Sequence, residues 1–117
     1  MIPVMQTGRN CMQACLASIF ETSLEEVPDL GPSSNQEEWC RRLDEWLGEK
    51  SLKRIILPYV MTNIMNFKGM YCVIGVQQGS VCHACVWKDG KIVHDPMPGG
   101  TGEGEKVVLD IFVKNED

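Results

Sequence analysis

The helical periods of this chain are gathered in its first half and its strand patterns in the second, which restricts the fold to helices packed on one sheet. Residues 12, 15, 16, 19 and 20 are apolar at helical spacing after Asn10, so a first helix is expected over about 10 to 21 with Asn10 as its N-cap. Trp39, Leu43, Trp46 and Leu47 give residues 36 to 48 one apolar face, a second helix ended by Gly48. Between them, Ser23 and Glu26 have the spacing of a capping box, Pro28 is a stop, and residues 29 to 35 read as a loop. Strands are expected at 52 to 57, 69 to 76 and about 106 to 113, with a short helix or irregular loop at 59 to 68. Val81 to Pro96 is the clearest hairpin, turning at Lys88-Asp89-Gly90. The expectation is a single α+β domain over residues 1 to 117, with N-terminal helices packed on a C-terminal antiparallel sheet.

A chain of 117 residues with 44% hydrophobic content is enough for one core. Its net charge of −5 and pI near 5.0, with Arg41-Arg42 and Lys53-Arg54 as isolated adjacent basic pairs and no longer basic cluster, argue against a nucleic-acid partner. The opening Met-Ile-Pro-Val-Met-Gln has neither a cationic region nor a long apolar run, so no signal peptide or membrane span is expected. The six cysteines are therefore read as reduced thiols of a cytoplasmic protein. Cys15, Cys40, Cys72 and Cys82 have apolar neighbours and are expected to pack as small hydrophobes.

Cys11 stands apart, because it falls where a polar, glycine-containing loop turns into the first helix. A thiol in a first helical turn sits at the positive end of the macrodipole, which favours the thiolate, and the unpaired amides there can hold an oxyanion. A nucleophile needs a base, and the chain has two histidines, His83 and His94, both in the hairpin. Asp95 is the candidate to orient His83. A two-residue turn at Asp89-Gly90 would pair Ala84 with Asp95 and send His83 to the opposite face. A type I turn at Lys88-Asp89 with Gly90 as a bulge sets His83 directly opposite Asp95, and Lys-Asp-Gly favours this second register. It places Cys85 and Trp87 on the His83 face, and His94 on the other face with Val86 and Ile92. Zinc is the rival use of Cys82-His83-Ala84-Cys85, but residues 82 and 85 of a strand point to opposite faces, so no metal is expected there.

With these residues in hand, the chain resembles papain-like cysteine peptidases, most closely the compact (C39-like) branch typified by bacteriocin-leader peptidases. Three segments carry the resemblance: Gln6-Thr-Gly-Arg-Asn-Cys11-Met-Gln-Ala-Cys15-Leu-Ala, His83-Ala-Cys-Val-Trp, and Val93-His-Asp95-Pro96. The resemblance implies a papain-like fold and a cysteine hydrolase that cleaves a peptide or isopeptide bond in a peptide or protein substrate, without a cofactor. It gives Cys11 the role of nucleophile, His83 that of acid and base, Asp95 that of orienting partner and Gln6 that of oxyanion donor. Deamidation or transglutamination would use the same groups. Three departures stand out: Gln6 lies five positions before Cys11 where six is usual, Met12 replaces a glycine, and the interval from His83 to Asp95 is short. The alternative is a catalytically silent binding module of the same fold that holds a peptide tail or partner protein.

Overall fold

In the computed structural model, which describes residues 1–29 and 36–115, two helices cover one face of a five-stranded antiparallel sheet. The helices are α1 (Cys11–Phe20) and α2 (Gln36–Glu49). The strands are β1 (Leu52–Pro58), β2 (Cys72–Gln78), β3 (Val81–Lys88), β4 (Lys91–His94) and β5 (Glu105–Lys114), in the order β1-β5-β2-β3-β4. The chain is thus an α+β domain with its helices N-terminal to its sheet. No described helix is long and apolar enough to cross a membrane.

α1 buries Ala14, Cys15, Leu16 and Ala17, and its small residues allow close approach to β3. α2 contributes Leu43 and Leu47 to the same core, where Val73 and Val86 rise from the sheet. The other sheet face carries a second core of Cys72, Ile74, Val76, Cys85, Trp87, Leu109 and Ile111, covered by Tyr59, Phe67 and Met70 of the β1–β2 connection. Two buried faces explain why β2 reads as an unbroken apolar run.

Several local expectations are corrected. Asn10 makes no side-chain cap to α1: its Oδ1 accepts the Thr7 N–H at 2.8 Å, and its Nδ2 donates to Thr7 Oγ1 and Gln13 Oε1. Ser23 and Glu26 form no capping box either, and Leu24–Glu26 is one turn of 3-10 helix. α2 runs through Gly48 to Glu49, and β2 begins at Cys72. The connection after β1 opens with a 3-10 turn over Tyr59–Asn63, in agreement with the short helix or loop expected there. Cys82, expected to pack, is exposed. The loop expected at 29 to 35 lies, beyond Asp29, outside the described residues.

The hairpin differs most. Asp89 and Gly90 have φ of 51° and 83°, a two-residue turn of type I′, with Lys88 opposite Lys91 and Trp87 opposite Ile92. A register shift between Trp87 and Val86 then pairs Val86 with His94, leaving Val93 as an extra residue on β4. Ile92 therefore lies on the Trp87 face and His94 on the Val86 face, and His83 is diagonal to Asp95 rather than directly opposite. The Asp89 conformation is held from outside the hairpin, since its Oδ1 accepts the Gly69 N–H at 2.6 Å.

Candidate active site

Cys11 is the first residue of α1 and is half-buried. The Thr7–Asn10–Gln13 network shapes the loop leading to it, and Gln13 is itself fixed by donating from Nε2 to Leu24 O and Val27 O. No side chain caps α1 and its first turn holds no acidic residue, so a side-chain cap does not occupy the first amides. The Gln6 side-chain donor is engaged within the loop before α1. Gln6 Nε2 donates to Gly8 O, its backbone N–H donates to Pro96 O at 2.9 Å, and its Oε1 is buried without a partner.

A cavity of about 340 Å³ opens beside Cys11 on the helix-covered face, walled by Met12, Trp39, Ile56 and Val108. Its floor is low because Gly75 and Ala84 pair across β2 and β3. A Cβ at Gly75 would come within 2.7 Å of Val108 Cγ2, so only glycine leaves this space. Arg54 and Asp110 close one side through an ion pair at 3.3 Å, with side chains 9% and 8% exposed. Burial lifts Asp110 above the usual carboxylate range against the pull of Arg54.

His83 and Asp95 do meet. His83 Nε2 donates to Asp95 Oδ1 at 2.6 Å, and both side chains are 6% exposed. Asp95 is braced by the Met97 N–H on Oδ1 and the Gly102 N–H on Oδ2, each at 2.9 Å. Burial works against its charge, but the bonds from His83, Met97 and Gly102 outweigh it and hold the carboxyl below its ordinary range. His83 also borders the cavity that opens at Cys11. Its side chain, however, shares the face of Cys85 and Trp87, away from α1, and no hydrogen bond joins it to Cys11 among the described residues. His94, on the helix side, donates from Nε2 to Val4 O at 2.8 Å, as befits a packed histidine.

The other thiols are of different kinds. Cys85 is buried beside the dyad, and burial, followed by the Asp95 charge, pushes it up to about 12. Burial likewise pushes Cys72 up to about 11 and raises Cys15. These three are held as neutral thiols at neutral pH. Sequence reasoning missed the Arg54–Asp110 pair and the bracing role of Gln13, whose partners are remote in the chain. Gly75 inside an apolar strand was the one available signal of the cavity floor. No family model, curated protein or solved structure matches the chain.

Proposed function

We propose that the chain is a papain-like, thiol-dependent hydrolase of amide bonds in a peptide or protein, with Cys11 as nucleophile. The observation that carries this reading is the His83–Asp95 bond at the border of the cavity that opens at Cys11. Asp95 engages Nε2, which leaves Nδ1 as the nitrogen to take the thiol proton. Cys11 Sγ then attacks the substrate carbonyl, and the protonated ring returns its proton to the departing amine. Water hydrolyses the resulting thioester. The uncapped amides at the start of α1 are the oxyanion donors on this reading, because Gln6 Nε2 is engaged by Gly8 O. The reading requires the His83 ring, which lies on the sheet face away from α1, to be brought to Cys11 Sγ when substrate fills the cavity.

The test is the rate of Cys11 alkylation by iodoacetamide against pH, followed by mass spectrometry in the parent and in His83→Ala. Reactivity that persists at mildly acidic pH in the parent and is lost in His83→Ala is the expected result. A profile indifferent to His83 would favour the binding module. That second reading draws on one observation: the ring lies on the sheet face away from α1, where the His83–Asp95 bond alone would serve to fasten residues 95 to 102 to the sheet.

A further inference from the structure

We propose that His83, Cys85 and Asp95 bind a single zinc-like cation on the sheet face turned away from the helices. His83 and Cys85 are two positions apart on β3, so both side chains leave the same face, and Asp95 joins them from the end of β4. One imidazole nitrogen, one thiol sulfur and one carboxylate oxygen from these residues lie within 4.8 Å of one another. Zinc bonds of about 2.0 to 2.3 Å put tetrahedral ligands roughly 3 to 4 Å apart, so small side-chain shifts close the site. A mixed nitrogen, sulfur and oxygen set suits zinc rather than magnesium or calcium, which prefer oxygen alone. The amides of Met97 and Gly102 already orient the carboxylate, as outer partners of metal ligands do. Cys82 and Cys85, the pair that looks metal-binding in the sequence, leave opposite faces of β3 and cannot converge.

Binding exchanges protons in a defined way. The Cys85 thiol proton is released to solvent and Sγ becomes a thiolate ligand. The Nε2 proton of His83 moves to Nδ1 as the Nε2 lone pair turns to the cation. Nδ1 then has no lone pair for the Cys11 proton, so the cation switches the site off; this consequence rests on the hydrolase reading above, whereas the binding does not.

The experiment is a cobalt(II) titration of the full chain under a non-chelating reductant, read by thiolate-to-cobalt charge-transfer absorption and by its displacement with zinc. The absorption is expected to saturate at about one equivalent, to persist in Cys11→Ser and Cys82→Ser, and to be lost in Cys85→Ser. Absence of the band in the parent, or its survival in Cys85→Ser, overturns the site. If Cys85→Ser does not fold, Asp95→Asn takes its place, with binding weakened about tenfold or more expected and unchanged affinity overturning the site. Cys11 alkylation is then timed with saturating zinc. Slowing in the parent and in Cys82→Ser supports the switch, and binding without slowing overturns the switch while leaving the metal site standing.

Discussion

Gly100 shows how much one missing side chain governs the candidate site. A Cβ there would fall against the Asp95 carboxylate, 2.6 Å from its Cγ, while the Gly100 N–H is already bonded to Met97 O at 2.8 Å. Gly100→Ala is therefore expected to displace the carboxylate and, through it, the ring of His83. A displacement of about an ångström at a catalytic group can cost about a hundredfold. The low-pH alkylation rate of Cys11 is the measurement, and an unchanged rate would mean that His83 does not serve Cys11. At this scale the sequence is informative where the cue is local. Cys11 at a helix start, and His83 and Asp95 on adjoining strands, could be read from spacing alone. Gln13 and Asp110 could not, because their partners, Leu24 and Val27 for one and Arg54 for the other, are brought near only by the finished fold.

Between elements, the Arg54–Asp110 pair joins β1 to β5, and the Arg54 guanidinium lies 5.2 Å over the Trp39 ring of α2. Removing one member leaves a buried charge without its partner, which typically costs about 3 to 5 kcal/mol. Arg54→Met is expected to lose stability on that order in urea denaturation. The double variant Arg54→Met with Asp110→Leu is expected to recover most of it, since an apolar pair of similar volume is commonly neutral. A single variant as stable as the parent would show the pair to be idle. The hairpin teaches the opposite lesson about legibility. Lys-Asp-Gly favours a type I turn with a glycine bulge on local grounds, yet Asp89 takes positive φ, and a backbone amide twenty residues earlier donates to its carboxylate in that conformation. The bulge then moves to Val93, and it still leaves His83 and Asp95 on one face. The contact was readable from local spacing, whereas the register was not, since the turn residue Asp89 also bonds to Gly69, remote in the chain.

For the molecule as a whole, the two buried aspartates pull its acid stability in opposite directions. Asp95 is held below its ordinary range, so its contribution is present above the unfolded-state value of about 4 and is lost as pH falls through the lower folded value. Asp110 is lifted, so its contribution is present below about 4 and is lost as pH rises through its folded value. Asp95→Asn is accordingly expected to flatten the loss of stability between about pH 5 and 3 in denaturation curves, and an equally steep loss would contradict the assignment. The arrangement of helices before strands, the single α+β domain and most strand positions were legible because hydrophobic period alone encodes them. The second core was not, since nothing in residues 59 to 70 declares which sheet face they cover. One carboxylate, finally, accepts from the His83 ring, the Met97 amide and the Gly102 amide together. A single proton arriving at Asp95 thus weakens three bonds at once, which ties the fate of the His83 ring to that of the segment from 95 to 102.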